Sequence, residues 1–303
     1  MASLRARLVN LALPLLGVRR FFSEPSRLEE RIAKLRKKAP VRPAKALHSE
    51  FDIAEDETRG FSVVTMQPKG RAPGGASHLL YFHGGGYVMP ISAFHWSAIA
   101  QLCRETGASA TVPLYPLAPE AKATRTLDLM RILAQDVIEN SGARHVVMLG
   151  DSAGGGMALS VAQMLAESDD DMPAALVLFS PWVDATASHP EQKAIESRDR
   201  MLAVSGLEAC ADLFRGDLPR EDARLSPLFG TLDGMPPMAI FSGTSDILLV
   251  DGRRLDERLQ ESGSTTHRYY EYDDMFHDWM LLPVPEGREA LMQAAAFIQE
   301  HAR

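Results

Sequence analysis

The sequence predicts an α/β protein: a mostly parallel central sheet flanked by helices, with a helical cap. Three observations carry that expectation. Short apolar and β-branched runs alternate with longer stretches of helical propensity along most of the 303 residues, as in a parallel sheet covered on both faces. One such run, Val146 to Leu149, breaks abruptly into a small-residue turn around Ser152. Another, Leu79 to Phe82, runs into three consecutive glycines, Gly84 to Gly86.

Composition and charge bound the function before any motif is read. The apolar and charged fractions, 46% and 24%, are ordinary for a soluble protein and argue against disorder or a membrane-spanning architecture. Cys103 and Cys210 are too few and too far apart in sequence for a disulfide framework or a zinc site, so a reducing cytoplasm is the expected setting, with no metal. Residues 1 to 45 carry 12 Lys/Arg against 3 Asp/Glu, or +9, which leaves 20 against 37, or -17, for the rest. A body so acidic repels phosphates, which excludes nucleic acid as a partner. Only the N-terminal arm favours an anionic surface.

Leu8 to Val18 is a short apolar run behind Arg5 and Arg7, superficially like a secretory leader. Pro14 interrupts it, Arg19 and Arg20 follow, and no small-x-small cleavage site is evident, so secretion is not the expectation. The run is too short to span a bilayer. Ser26-Arg27-Leu28-Glu29 has a capping-box pattern, and Leu28, Ile32 and Leu35 recur at helical spacing among basic residues up to Lys38. That amphipathic helix is expected to lie on the body with a solvated charged face, membrane contact being the less favoured use of its basic stripe.

From residue 47 the texture turns to strands. Phe61 to Gln67 is the first clear one, Pro68 to Gly75 a turn, and Leu79 to Phe82 a strand. Ser92 then caps a helix ending near Gly107, Ala110 to Val112 makes another strand, and a helix follows from about Glu120 to Glu139. After the Val146 strand and the Met157 helix come strands at Ala175 to Phe179, Met238 to Ser242 and His267 to Tyr272, a helix at Val250 to Ser262 between the last two, and a terminal helix. Between about Ala185 and Pro236 the rhythm breaks into mixed helix and loop, with Gly206 to Phe214 helical. An insertion over the C-terminal edge of the sheet explains the break, because open α/β sheets bind ligands there. The expected organisation is residues 1–45 and 185–225 as cap segments, with 46–184 and 226–303 as the catalytic domain.

Gly150-Asp151-Ser152-Ala153-Gly154 fits G-x-S-x-G, in which a sharp turn between strand and helix exposes a nucleophilic hydroxyl. The pattern alone is weak; the apolar strand before it and the helix after it give it weight. A serine hydroxyl needs a base in hydrogen-bond reach and a third group to orient that base. Of nine histidines, His277 lies in a loop just past the last strand, where the Ser, acid, His order of this kind of sheet puts the base. Asp246 follows the Met238 strand directly and is the expected acid; Asp251, its competitor, is expected to cap the next helix. His83-Gly84-Gly85-Gly86 at a strand end lets bare backbone N–H groups approach a substrate oxyanion.

Together with Tyr87, with Ser180-Pro181-Trp182-Val183-Asp184 and with Leu225-Ser226-Pro227-Leu228-Phe229, these motifs resemble, in order, those of the hormone-sensitive-lipase-like family of α/β-hydrolase carboxylesterases. The resemblance covers roughly residues 60 to 300. It implies the α/β-hydrolase fold, a Ser152, Asp246 and His277 triad, oxyanion donors from Gly85, Gly86 and Ala153, and a cap built from the N-terminus and an insertion. It also implies hydrolysis of short- to medium-chain esters through an acyl-enzyme with no cofactor. Tyr87 and Trp182 are candidates for the substrate pocket, Trp182 about equally for the core. A lactone or an acetylated small molecule is the alternative substrate. A non-catalytic ligand-binding protein on the same fold, as in the plant gibberellin receptors that lack the catalytic histidine, is the alternative of another class. A homodimer through the last strand and helix stays open. Two departures stand out: Pro116 where the family usually has Arg, and Asp278-Trp279 where Gly-Phe is commoner after the histidine. The Asp278 charge is expected to raise the pKa of His277.

Overall fold

Runs of five to seven apolar residues are too short for stable helices, and packed between helix layers they become strands. The computed structural model describes residues 2–71 and 77–302 and contains one eight-stranded sheet among them. Its strands are β1 (Phe51–Asp56), β2 (Val63–Pro68), β3 (Ser77–Phe82), β4 (Ser109–Pro113), β5 (His145–Asp151), β6 (Ala175–Phe179), β7 (Met238–Gly243) and β8 (Arg268–Tyr272). The spatial order is β1-β2-β4-β3-β5-β6-β7-β8, with β2 antiparallel to both neighbours and every other pair parallel. This is the mostly parallel α/β sheet that the alternation of runs predicts.

Ten helices among the described residues cover the sheet and its edges: α1 (Leu4–Ala12), α2 (Val18–Ser23), α3 (Leu28–Arg36), α4 (Ala93–Thr106), α5 (Ala123–Asn140), α6 (Ala153–Glu167), α7 (Pro190–Glu196), α8 (Val204–Arg215), α9 (Leu249–Glu261) and α10 (Pro285–His301). Because side chains alternate along a strand, Leu80, Phe82, Val146 and Met148 join one core with α5, α6 and α9. Leu79, Tyr81, Val147 and Leu149 join the other, with α4 and α10. The central strands β3, β6 and β7 are buried along their whole length, which is why they read as continuous apolar runs rather than alternating ones.

Two local expectations need correcting. The strand expected from Phe61 begins at Val63, and the Pro68 to Gly75 turn lies partly outside the described residues. β1 was covered only by the general change of texture, since Asp52, Glu55 and Asp56 lie on the exposed positions of an edge strand and dilute the apolar signal. The capping box at Ser26 does not form: residues Pro25–Arg27 make a 3₁₀ turn, and α3 starts at Leu28 with no side-chain cap. Pro25 favours that tight turn and takes Ser26 out of the extended conformation a cap requires. Ser92 does cap α4, and His95 replies in the place usually held by Glu, with Ser92 Oγ 2.7 Å from His95 Nδ1 and Ser92 N–H donating to the same nitrogen at 3.1 Å.

The arm and the insertion meet over the C-terminal edge of the sheet. Gly206 of α8 lies against Phe22 of α2 so closely that a Cβ there would come within 2.2 Å of the Phe22 carbonyl oxygen. Arg19 ties the arm to the insertion by donating to the Asp199 carbonyl at 3.0 Å.

Candidate active site

β5 ends at Asp151 and α6 starts at Ala153, so Ser152 alone makes the turn, at φ 52 and ψ -122. A non-glycine residue held there stores strain, and its surroundings hold it. Ser152 N–H donates to Phe179 O at 2.8 Å, while its carbonyl accepts from Gly156 at 3.1 Å and Trp182 at 2.9 Å. The flanking glycines are sterically required. A Cβ on Gly154 would stand 2.0 Å from the Phe82 carbonyl oxygen, and one on Gly150 would stand 2.4 Å from Gly154 backbone atoms.

The turn after β3 sits beside this elbow. Gly85 and Gly86 both have positive φ, 110 and 61, which explains the glycines. The N–H groups of Gly85, Gly86 and Ala153 have no hydrogen-bond partner among the described residues.

Asp151, the x between glycine and serine in the G-x-S-x-G pattern, holds that turn in place. It is fully buried and accepts from Tyr81 Oη at 2.6 Å and Gly84 N at 3.0 Å, with His95 Nε2 at 3.2 Å. Burial works to raise the Asp151 carboxyl, but His95 foremost, then the Tyr81 hydroxyl, bring it down to about 2. Gly84 must be glycine because a Cβ would stand 2.2 Å from Asp151 Oδ2. The Ser92 to His95 spacing was the signal in the sequence: a helix whose capping partner is histidine carries a second ring nitrogen inward.

His277 and Asp246 come together as expected, Nδ1 to Oδ2 at 2.8 Å, both buried. Asp246 Oδ1 accepts from Leu248 N at 2.8 Å. On its other side, His277 Nε2 faces Asp278 Oδ2 at 3.1 Å, and no hydrogen bond joins it to Ser152 among the described residues. The imidazole therefore stands between two carboxylates. Burial works to lower its pKa, but Asp246 and then Asp278 more than offset this and raise it well above the ordinary value. Burial in turn pushes the Asp278 carboxyl up to about 7. Asp278 adopts a left-handed conformation and leaves Oδ1 buried without a hydrogen-bond partner among the described residues.

Asp199 lies nearby on the insertion, a second functional neighbour that the sequence did not single out. It accepts from Met201 and Leu202 N–H at 2.7 and 2.8 Å and from Ile247 N–H at 2.9 Å, so one carboxylate ties the insertion to the loop that carries Asp246. Burial, then the Asp246 charge, raise it to about 6.

Asp251 is not the helix cap expected of it. It lies in the first turn of α9, fully buried, and accepts from Val183 and Asp184 N–H at 3.0 and 2.9 Å and from Gln192 at 3.0 Å. Burial, then Asp184, raise its pKa far above the ordinary range. Five residues past Asp246 it points to the loop after β6, where bare N–H groups draw it away from the helix end.

A cavity of about 310 Å³ opens beside Ser152 and His277 and is lined by Gly85, Gly86 and Asp278. Its walls are otherwise mostly apolar, from the arm (Val18, Phe22), the insertion (Leu202, Leu207) and Phe94 and Leu281. Tyr87 and Trp182, the candidate pocket residues, do not line it. Tyr87 is buried with its ring stacked on Phe214 at 4.0 Å, and Trp182 is buried with Nε1 donating to the Asp184 carbonyl at 3.0 Å. They are core, and the small glycines of α6 let them pack there: a Cβ on Gly156 would stand 2.1 Å from Trp182 O. Pro116 leaves no ion pair at its position, but Arg36 from α3 reaches the same segment and donates to the Ala118 carbonyl at 2.9 Å. No cluster of metal-ligating side chains occurs among the described residues.

Comparison with known proteins agrees with this architecture. Residues 79–281 match a family described by the α/β-hydrolase fold. A triacylglycerol lipase of Mycobacterium tuberculosis is 31% identical over 224 residues, 74% of this chain, although the matched stretch spans only 46% of the lipase. An acetyl-hydrolase of Streptomyces hygroscopicus is 32% identical over 228 residues, 73% of this chain and 75% of the hydrolase. A hormone-sensitive lipase from a metagenome library has the same fold over 98% of each chain, with a TM-score of 0.82 at 24% identity.

Proposed function

Because this chain belongs to the hormone-sensitive-lipase-like family of α/β-hydrolases and is a carboxylic ester hydrolase, we propose that it acts as a serine esterase on short- to medium-chain acyl esters. The observation that carries this reading is the Asp246–His277 contact of 2.8 Å beside a serine held on a strained turn, all at one cavity. Ser152 Oγ attacks the ester carbonyl while His277 Nε2 takes its proton. Asp246 keeps Nδ1 protonated and stabilises the imidazolium. The N–H groups of Gly85, Gly86 and Ala153 hold the oxyanion. His277 then gives its proton to the departing alcohol, and water, deprotonated by the same nitrogen, releases the acid.

The arm and residues 185–225 serve as the cap over this centre, since both contribute apolar walls to the cavity. A volume near the lower end of ligand pockets supports acyl chains of short to medium length. Hydrolysis of p-nitrophenyl esters from acetyl to palmitoyl tests it: turnover peaks at the short to medium chains. A maximum at palmitoyl contradicts the reading.

Asp278 adds a step. Its Oδ2 occupies the Nε2 position that Ser152 needs, so the proton they share must leave and the carboxylate must swing aside before His277 acts as a base. A base with a raised pKa is competent above that pKa and inactive below it, so activity is lost as pH falls through the raised value. Asp278→Asn removes one of the two carboxylates that raise it. The acid limb of kcat/KM therefore moves to lower pH in the variant, and activity on the acid side rises relative to the plateau. Coincident acid limbs in parent and variant would rule the role out.

A further inference from the structure

The first helix is amphipathic the wrong way round for a helix that only packs on a body. Its small residue Ala6, with Ala2 before its start and Leu13 beyond its end, is buried against the second core, and Ser3 Oγ holds it to α10 by donating to Glu286 at 3.0 Å. Three of its bulky residues face water, Leu4 at 75% exposed, Leu8 at 58% and Leu11 at 67%, and so does Leu15, at 88%, in the 3₁₀ turn Leu13–Leu16 that follows. At about 100° per residue Leu4, Leu8 and Leu11 fall within an arc of roughly 60°, with Arg5 on one side of it and Arg7 on the other. Both arginines are exposed and neither has a carboxylate partner among the described residues. Isolated exposed leucines need no explanation, but four in a row do.

We propose that the Leu4, Leu8, Leu11 and Leu15 face, flanked by Arg5 and Arg7, docks onto an anionic lipid bilayer and holds the mouth of the active-site cavity against it. Charge complementarity picks this occupant. The arm carries +9 while the remaining residues carry -17, so an anionic surface attracts one end of the molecule and repels the rest, which fixes orientation. A second copy seated face to face would oppose arginines to arginines. The other exposed large apolar residues, such as Ile132 on α5 and Met292 on α10, sit on separate elements and offer no matching stripe.

The same arm leads to the active site. Val18 and Phe22, directly after the stripe, form one wall of the cavity, and Phe94, 45% exposed, stands on its rim. Lys34 and Lys38 of the following segment line a smaller hollow with Gly17 and Val18, which sets further cations beside the same entrance. Leucines inserted at the level of the acyl chains and arginines among the headgroups would bring a bilayer-borne ester to that entrance.

Vesicle sedimentation tests the proposal and reads binding rather than hydrolysis, so it stands apart from the acyl-enzyme reading. The parent is expected to pellet with phosphatidylcholine vesicles containing roughly a third phosphatidylglycerol, and about tenfold less with pure phosphatidylcholine or at high salt. Combined Leu8→Ser, Leu11→Ser and Leu15→Ser substitutions abolish pelleting. Arg5→Gln with Arg7→Gln weakens the preference for the anionic vesicles, and neither set alters turnover of a soluble short ester. A parent that stays in the supernatant with both vesicle types overturns the proposal. So does a parent that is dimeric by light scattering and becomes monomeric when the leucines are replaced, which assigns the face to a second copy.

Discussion

Ser152→Ala is expected to lower kcat on any ester by roughly four to six orders of magnitude, the range over which loss of a serine nucleophile leaves only binding and oxyanion stabilisation. The loss should be chemical and not structural. The elbow is held by backbone contacts, from Ser152 N–H to Phe179 O and from Gly156 and Trp182 to the Ser152 carbonyl, and an alanine keeps all three. Its Cβ also meets the same φ of 52 that serine already tolerates. A thermal midpoint within a few degrees of the parent, alongside the lost activity, is the expected pair of results. Retention of more than about one per cent of the activity contradicts the serine role.

Asp246→Asn is expected to cost about three to four orders of magnitude in kcat, and it costs that through a proton in the wrong place. Asp246 is fully buried and spends one oxygen on Leu248 N–H and the other on His277 Nδ1. Asparagine fits the same space, but only its oxygen can accept the Leu248 N–H, which turns its NH₂ toward His277. Nδ1 must then accept, and the imidazole proton moves to Nε2, where it cannot take another from Ser152. Here the second carboxylate aggravates the loss. A proton on Nε2 points at Asp278 Oδ2, already 3.1 Å away, so the base is held off the serine in the tautomer that cannot serve it. Asp246→Asn combined with Asp278→Asn should therefore recover part of the lost activity. An additive loss in the double variant would show that Asp278 does not hold the resting base.

The features legible in sequence are those whose physical reason is local. G-x-S-x-G is legible because the turn at Ser152 leaves no room for a Cβ at Gly150 or Gly154, so the constraint is written in the residues themselves. The fully buried strands β3, β6 and β7 are legible for the same reason: burial on both faces demands an unbroken apolar run. His277 and Asp246 were found from the order of elements, since each follows a strand at the same sheet edge.

What stayed hidden depends on distant partners. Asp151 serves Tyr81, Gly84 and His95, and nothing near Asp151 in sequence announces those contacts. Asp251 and Asp199 look like ordinary helix-end and loop carboxylates until the loops they bridge are folded against them. Tyr87 and Trp182 flank catalytic motifs in sequence, yet their side chains turn into the core, where Phe214 and the α6 glycines make room for them. The leucine face of α1 was visible only as an apolar run, because exposure is a property of the fold and not of the composition.

Mass spectrometry of the protein after reaction with a short-chain p-nitrophenyl alkylphosphonate follows the nucleophile itself. The phosphonate imitates the tetrahedral intermediate and is trapped by an activated serine held near oxyanion donors. One label per chain is expected, on the peptide carrying Ser152, with complete loss of esterase activity and no label in Ser152→Ala. A parent that hydrolyses esters yet takes the label at another residue, or takes none while staying active, would contradict an acyl-enzyme on Ser152.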